Sequence, residues 1–345
     1  MRPNLPTLGA PPKRSSFGPV VAVSLILGGA AGGVWWWKQR MAHATDGATQ
    51  AAAPGATDAG AAVAAAPVAP PAPVDPVKAA GLERASVRID GPLETALNSA
   101  AGADIGPALA QVVTRTLVWW VEVPNEILRG DTLDVLYQRR ENEEPLVHAV
   151  RFTSGKLGKT MSAYRYQGEG EPNARYYLGS GDELELRLEK SPIDSYEQVT
   201  SLLRDGRRHK GVDFRTPVGT PIKAPFNGVV KRKNWNFGSN GNCLELVESG
   251  GRGRRALFLH LDAVDKSIKP GTRFTAGQVI ASSGNTGRSF APHLHYQLMT
   301  QDDRVLDPFD QHKTYRRALS TSQKSLFESE VRRLDGLLGT SVAGK

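Results

Sequence analysis

The first strong feature of the hydropathy pattern is an apolar run, Phe17–Trp37, that contains no charged residue. About 20 such residues are enough for a helix to cross a bilayer core. Three tryptophans, at 35–37, end the run, where aromatic rings favour the membrane interface. The pattern predicts a transmembrane helix over 17–37, after a cytoplasmic N-terminus over 1–16. A cleaved signal peptide is the alternative, because Ala42-His-Ala44 resembles a cleavage site.

Large apolar side chains are missing from residue 44 to residue 80. Residues 44–80 consist almost wholly of Ala, Pro, Gly, Val, Thr and Asp. A segment of this composition cannot bury enough apolar surface to offset the entropy lost on folding. We therefore predict a disordered Ala/Pro-rich linker over residues 38–81.

Residues 82–195 change from helical to strand periodicity. The segments 93–97 and 105–120 have apolar residues at helical spacing and are separated by Gly102. Alternation that is typical of strands follows, at 132–137, 147–152, 159–166 and 184–188. These patterns predict a small α+β domain. It contains no cluster of residues with obvious catalytic chemistry, and His148 stands alone in a predicted strand.

From residue 196 to 310 short strands alternate with glycine-containing turns, which predicts a mainly β, antiparallel domain. The final segment is 311–345. Between residues 315 and 338 its apolar residues are interspersed with charged ones, which predicts an amphipathic helix packed on a domain. The apolar positions used for this prediction are Leu319, Leu326, Val331, Leu334, Leu337 and Leu338. The fold class is therefore mainly β, with an antiparallel domain preceded by an α+β domain, the linker and the membrane helix.

The net charge indicates which kinds of partner the chain could bind, and the cysteine content indicates whether a reactive thiol is expected. The formal net charge is +8, which fits an anionic partner such as a membrane lipid or a cell-wall polymer. Nucleic acid is not expected, because the chain has no helix-turn-helix, zinc-finger or RNA-binding strand motif. The one cysteine, Cys243, lies in an apolar run and is expected to be buried and inert.

The candidate chemistry lies in three short motifs of the mainly β domain. They contain four of the seven histidines and one aspartate: His209, Asp213, His260, His293 and His295. His293 and His295 are two residues apart, so on a strand their side chains leave the same face while Leu294 points to the core. His209 and Asp213 are four apart, and Gly211 permits a turn between them. Imidazole and carboxylate ligands suit zinc, so the spacing predicts a metal site.

These motifs, with their surroundings, resemble the LytM and lysostaphin-like zinc metallopeptidases that cut peptidoglycan cross-bridges. The resemblance extends from about residue 205 to 310 and includes Gly219-Thr-Pro-Ile, Gly284-Asn-Thr-Gly287 and Asp307-Pro308. Residues 93–195 are more weakly similar to the domain that precedes the catalytic domain in membrane-anchored murein endopeptidases of Gram-negative bacteria. Ala291 and Gln297 depart from the family pattern, and the segment before His209 is short.

The resemblance implies roles for all five residues. His209, Asp213 and His295 would bind one Zn²⁺, and His260 and His293 would be the catalytic pair beside it. One of the pair would take the proton of the attacking water, and the other would stabilise the oxyanion or protonate the leaving amine. The sequence does not say which does which. Nor does it name the acceptors that orient the histidines.

The expected activity is hydrolysis of peptide cross-links between peptidoglycan stem peptides, by a protein held in the inner membrane with its catalytic domain in the periplasm. Two alternatives remain open at this stage. A LytM-like domain without its own catalysis would activate cell-wall amidases, although such domains typically lose zinc ligands. A protease for a secreted protein is the other alternative.

Overall fold

The structure is a computed structural model that describes residues 75–203, 205–206 and 209–339. The predicted transmembrane helix at 17–37 and the linker as far as residue 74 lie outside the described residues. Among the residues that are described, no helix combines the length and the apolar character needed to cross a bilayer. All of them belong to one compact unit, Pro71–Lys345.

The helices of the described residues are α1 (Pro76–Ala79), α2 (Leu93–Ala101), α3 (Gly106–Leu117), α4 (Phe237–Asn240), α5 (Pro308–Gln311) and α6 (Thr321–Leu338). The strands of the first half are β1 (Glu83–Arg88), β2 (Thr132–Gln138), β3 (Leu146–Ser154), β4 (Lys159–Tyr166), β5 (Arg175–Leu178), β6 (Arg187–Leu188), β7 (Gln198–Ser201) and β8 (Val212–Arg215). Those of the second half are β9 (Pro221–Lys223), β10 (Gly228–Lys233), β11 (Asn242–Glu248), β12 (Arg255–Leu261), β13 (Arg273–Phe274), β14 (Val279–Ser282), β15 (His293–Met299), β16 (Val305–Leu306) and β17 (Thr314–Tyr315).

Strands β1 to β5 form an antiparallel sheet in sequence order, which confirms strands as the main component of the α+β region. Helices α2 and α3 pack on one face of this sheet and α6 packs on the other. The chain turns between α2 and α3 at Gly102, whose φ of 93° few residues other than glycine adopt. Because both faces are covered, β2 is buried from Thr132 to Tyr137.

Sequence periodicity missed two strands of this sheet and overestimated the length of a strand outside it. Strand β1 carries three charged side chains and β5 has only four residues, so neither shows a long alternation. The predicted strand 184–188 is reduced to β6, which pairs with β17 near the C-terminus. Residues 83–88 are the edge strand of the first sheet.

The second sheet contains the candidate site. Its strands follow the order β13-β10-β11-β12-β15-β8-β7, with β16 paired to β15, and the pairs are antiparallel. One face of this sheet packs against a hydrophobic core. That core includes Val212, Phe214, Leu294 and Tyr296. Cys243 is fully buried, as expected.

Contacts between the two sheet regions include an aromatic pair and a shared carboxylate. Trp119, just after α3, touches the cores of both and meets Phe309 edge-on with ring centroids 5.4 Å apart. Glu144, in the loop between β2 and β3, accepts hydrogen bonds from Arg115 of α3 and from Arg215 of β8. The Arg115 guanidinium, with a smaller effect from Arg215, lowers the pKa of Glu144 to about 2.

Helix α6 confirms the predicted amphipathic helix, but two adjacent residues differ from the prediction. Leu326 was assigned to the apolar face and is 67% exposed, whereas Phe327 was not assigned and is 1% exposed. Phe327 meets the rings of Tyr164, Tyr166 and Tyr177 edge-on, at centroid distances of 5.3 to 6.4 Å. A capping box between Ser320 and Gln323 marks the start of the helix.

We expect Phe327→Ala to lower the free energy of unfolding by about 3–5 kcal/mol, the usual cost of removing a buried aromatic ring. Leu326→Ala is the matched control and should change it by less than about 0.5 kcal/mol. Urea titration of both variants measures the difference. Equal losses for the two would contradict the packing of α6 on the first sheet.

Candidate active site

Strands β8 and β15 bring three of the predicted residues to one face of the second sheet. Along β15, Leu294 enters the core, so His293 and His295 leave the opposite face, as alternation predicts. Along β8, Phe214 enters the core and Asp213 does not. The register places Asp213 directly opposite His295, which brings their side chains together.

Three ligand atoms converge at this point. His209 Nε2 lies 2.9 Å from His295 Nδ1 and 3.1 Å from Asp213 Oδ1. His295 Nδ1 lies 2.9 Å from the same Asp213 oxygen. Burial opposes ionisation of Asp213, but the hydrogen bonds from His209 and His295 outweigh it and hold the pKa of the carboxyl well below its usual range. The three residues therefore form a compact, partly buried triangle around a carboxylate.

This triangle could hold a metal ion. When both imidazoles are neutral and carry their hydrogen on the nitrogen outside the triangle, two imidazole nitrogens and a carboxylate oxygen direct lone pairs to one point, an arrangement that a cation stabilises. Around a tetrahedral zinc with bonds of ~2.1 Å, ligand atoms lie about 3.4 Å apart, so outward shifts of a few tenths of an ångström would fit the ion. Three protein ligands leave the fourth position for water or substrate, as in catalytic sites.

Gly211 has a role beyond the turn that the sequence suggested. A Cβ atom at this position would lie 2.5 Å from the Tyr296 carbonyl oxygen and 2.9 Å from His295 Nε2. No side chain fits into that space. The glycine lets the backbone between His209 and Asp213 lie directly against β15.

The structure identifies the acceptor that orients His209. Its Nδ1 lies 2.7 Å from the hydroxyl of Ser201, and that hydroxyl donates to Asp205 Oδ2 at 2.5 Å. Both Ser201 and Asp205 are buried. With Nδ1–H donating to Ser201, the Nε2 lone pair of His209 faces the triangle, which is the arrangement that a metal ligand needs.

A β-bulge places His260. Phe258 and Leu261 both enter the core, three residues apart, because β12 carries one extra residue relative to β11 between them. His260 has φ of 61°, a left-handed conformation in which histidine is several-fold enriched among non-glycine residues. The bulge turns the imidazole away from the core, so its ring centroid lies 4.8 Å from that of His293 and 6.2 Å from that of His295.

Thr286 fixes this bulge from a separate loop. Its carbonyl oxygen lies 2.9 Å from His260 Nδ1. Its hydroxyl donates to the Leu261 carbonyl and accepts from the Asn242 amide. One residue thus holds both the ring of His260 and the backbone of the adjacent Leu261.

His260 and His293 present the same nitrogen to the site. His293 Nδ1 lies 2.8 Å from the Ala291 carbonyl oxygen, and its Nε2 lies 3.8 Å from Asp213 Oδ1. A carbonyl only accepts, so in both histidines Nδ1 carries the hydrogen and Nε2 has the free lone pair. Burial lowers the pKa of His260 to about 4, so its imidazole is neutral at pH 7.

All five predicted residues therefore meet in one site. Sequence reasoning missed Ser201, Asp205 and Thr286. The first two lie just before the His209 motif, and Thr286 belongs to Gly284-Asn-Thr-Gly287, a motif that the sequence singled out without a role. His148, which stood alone in the sequence, lies in the first sheet away from this site.

Comparison with known proteins matches the region of the candidate site to a protein family. The model for Peptidase family M23 matches residues 207–308, which include all five residues of the site. The chain contains a peptidase family M23 domain. M23 enzymes are metallopeptidases, in agreement with the metal-ligating triangle.

Curated proteins that are similar to this chain match it to different extents. The peptidoglycan DD-endopeptidase ShyA of Vibrio cholerae serotype O1 is 30% identical over 217 residues, 59% of this chain and 48% of ShyA. The glycyl-glycine endopeptidase ALE-1 of Staphylococcus capitis is 44% identical over 96 residues, 28% of this chain and 26% of ALE-1. The chain spans about half the length of the first curated relatives that it matches.

Among solved structures, a zinc-containing peptidase from Vibrio cholerae is 26% identical and the match covers 66% of this chain and 69% of that one, with a TM-score of 0.31. A score this low supports no conclusion about the overall fold. The M23 assignment rests on the sequence match.

The hydrogen-bond chain from Asp205 through Ser201 to His209 generates a prediction about metal affinity. Ser201→Ala removes the acceptor of His209 Nδ1–H, so the ring loses its fixed tautomer and orientation. We expect zinc affinity to fall about 10–100-fold, the usual effect of losing such a partner. Competition with a chromophoric chelator measures it.

Ser99→Ala is the control, because Ser99 is an exposed serine on α2 whose hydroxyl bonds only to the Thr95 carbonyl. Equal zinc affinity in both variants would show that Ser201 does not position the ligand.

Proposed function

We propose that the chain is a zinc-dependent endopeptidase that hydrolyses the peptide cross-links of peptidoglycan. The observation that carries this proposal is the triangle of His209, Asp213 and His295, with the free Nε2 atoms of His260 and His293 beside it. The residues present fit a catalytic zinc site in ligand type, number and separation. The M23 assignment and the peptidoglycan-cleaving relatives support the same conclusion.

In this proposal His209 Nε2, Asp213 Oδ1 and His295 Nδ1 bind the ion. When bound, zinc with an open position lowers the pKa of a water from ~15.7 toward ~7 and polarises the scissile carbonyl. The negative charge of Asp213 reduces the net positive charge at the site. Ser201 keeps the lone pair of His209 directed at the ion.

In the same proposal, His260 and His293 accept and donate the protons of the reaction. Each imidazole is held by a carbonyl at Nδ1, so each can accept a proton at Nε2 and return it from the same atom. One accepts the proton of the attacking water, and the other donates a hydrogen bond to the developing oxyanion or protonates the leaving amine. Because its pKa is low, a protonated His260 would be a strong acid that readily gives the proton up.

The cross-link that we propose is the one between D-alanine and diaminopimelate. The alignment with ShyA, a peptidoglycan DD-endopeptidase by name, covers 217 residues and so must include much of the first sheet. The alignment with ALE-1, a glycyl-glycine endopeptidase, is no longer than the M23 domain itself. The longer match therefore favours the DD-specific class.

The alternative of an amidase activator without catalysis is disfavoured by the site. All three proposed ligands and both proposed catalytic histidines are present, and they converge. Such activators have no need to preserve the tautomers and the bulge that make His260 and His293 available.

Mutation of a ligand and of a catalytic histidine should have different effects. We expect His295→Ala to lose both bound zinc and cleavage of purified sacculi, since it removes one corner of the triangle. We expect His260→Ala to keep zinc but to cleave about 10²–10⁴-fold more slowly, because it removes proton transfer. Metal analysis and mass analysis of released muropeptides measure the two properties.

His148→Ala is the control, because His148 lies in β3 away from the site, and it should match the wild type. A wild-type protein that keeps its full activity after chelation and dialysis would disprove the zinc mechanism. Cleavage of an unfolded protein substrate, with sacculi left intact, would instead favour a protease for secreted proteins.

We also propose that residues 17–37 anchor the chain in the inner membrane with the M23 domain in the periplasm. The uncharged apolar run and the position of peptidoglycan outside that membrane support this placement. We expect the full-length chain in the membrane fraction, and its C-terminal half accessible to protease in spheroplasts. A shortened chain in the soluble periplasmic fraction would show a cleaved signal peptide instead.

A further inference from the structure

A cavity of about 190 Å³ lies where the first sheet meets strands β7 and β8. Its lining contains more arginines than glutamates. The arginines are Arg115, Arg140, Arg165, Arg175 and Arg215, and the glutamates are Glu144, Glu185 and Glu197. The question is which of these charges already have partners.

Most of the cavity's arginines are paired within the protein. Glu144 binds Arg115 through two hydrogen bonds and also binds Arg215. Arg215 makes a second ion pair with Glu197 at 3.1 Å. Arg140 donates to the backbone carbonyl of Glu144 and pairs with a neighbouring glutamate.

Arg165, on β4, is different. Within the part of the chain that the structure describes, its guanidinium has no carboxylate at ion-pair distance and no hydrogen-bond acceptor. The side chain is half-buried, and this burial lowers the pKa of Arg165. A partly desolvated cation without a counter-ion is unfavourable for the free protein and fits one that meets its counter-ion in a ligand.

Two further donors on the same lining lack acceptors. Arg175 is 7% exposed, and its Nε has no hydrogen-bond partner among the described residues. The amide nitrogen of Gln198 is also buried and without a partner there. Both atoms are sealed from water, so they gain a partner only when an acceptor enters and the side chains turn toward it.

Glu185 does not neutralise Arg165, because it lies 3.9 Å from Arg175, which also pairs with Glu183 at 3.2 Å. Burial raises the pKa of Glu185 to about 8, so at pH 7 this carboxyl is mostly protonated, although Arg175 acts in the opposite direction. Its two oxygens already face the Val199 amide at 3.3 Å. The lining therefore offers unused donors and positive charge, which is the environment of an anion site.

The cavity continues the face of the sheet that carries the candidate active site. The strand register places Gln198 opposite Arg215, and Arg215 opposite His293. Residues directly opposite each other in antiparallel strands project to the same side. A row of three side chains thus leads from a proposed catalytic histidine to the cavity.

We propose that this cavity binds a carboxylate of the peptide substrate, with Arg165 as its principal partner. The proposal rests on the function proposed above and adds a specificity determinant to that site. A volume of about 190 Å³ holds one small charged group rather than a peptide. Strands are ~4.8 Å apart, so the row from His293 to Gln198 spans about 10 Å, or about three residues of extended peptide.

The test compares two synthetic cross-linked stem peptides that differ only in having free carboxylates or primary amides at the same positions. For the wild-type chain we expect kcat/KM to favour the free carboxylates by about tenfold, mainly through KM. In Arg165→Gln this preference should disappear. Arg88→Gln, which changes an exposed arginine of β1, should retain it.

Thermal unfolding provides a readout that does not depend on catalysis. Because Arg165 has no partner in the free protein, Arg165→Gln should unfold at the same temperature as the wild type or above it. The carboxylate peptide, added to chelator-treated protein, should raise the unfolding temperature of the wild type more than that of Arg165→Gln. An arginine with a purely structural role would lower the unfolding temperature when replaced.

The outcomes separate this inference from the proposed function. If neither peptide is cleaved but the carboxylate peptide still stabilises the wild type through Arg165, the proposed activity fails and the anion site stands. If both peptides are cleaved equally well by the wild type, the carboxylate site is wrong and the activity stands. If inorganic phosphate, and not the peptide, gives the Arg165-dependent stabilisation, the cavity binds a free anion and the substrate role is overturned.

Discussion

The pairing of β8 with β15 is the constraint on which the site depends. It sets Asp213 opposite His295, and one oxygen of Asp213 then lies within about 3 Å of nitrogens from His295 and His209. A slip of one residue in this register would turn Asp213 into the core and destroy the triangle. The buried residues Phe214 and Leu294 prevent the slip, because they would have to leave the core. The hydrophobic pattern of two short strands therefore fixes the metal-ligand geometry.

Around this fixed centre, the remaining groups are held by contacts from outside β8 and β15. His209 is oriented through Ser201, the last residue of β7, and through Asp205, which follows that strand. His260 is oriented by Thr286 from a separate loop. Because His209, His260 and His293 each have a defined partner at Nδ1, the tautomers of these three imidazoles follow from the fold.

Alternation and spacing were enough to predict that His293 and His295 share a face and that the five residues belong together. They could not predict the bulge at His260, because an extra residue in β12 is visible only against β11. They also missed Phe327, because the rotation of α6 depends on the aromatic surface of β4 and β5 that it covers. Local periodicity reports which residues are apolar, whereas bulges, caps and oriented hydrogen bonds depend on partners elsewhere in the chain.

The central claim is that His209, Asp213 and His295 together bind one zinc ion. The most direct measurement is a crystal structure of the zinc-loaded protein with anomalous diffraction collected on both sides of the zinc absorption edge. The account predicts one anomalous peak about 2.0–2.2 Å from His209 Nε2, Asp213 Oδ1 and His295 Nδ1. A zinc peak elsewhere, with these three side chains still hydrogen-bonded to one another, would contradict it.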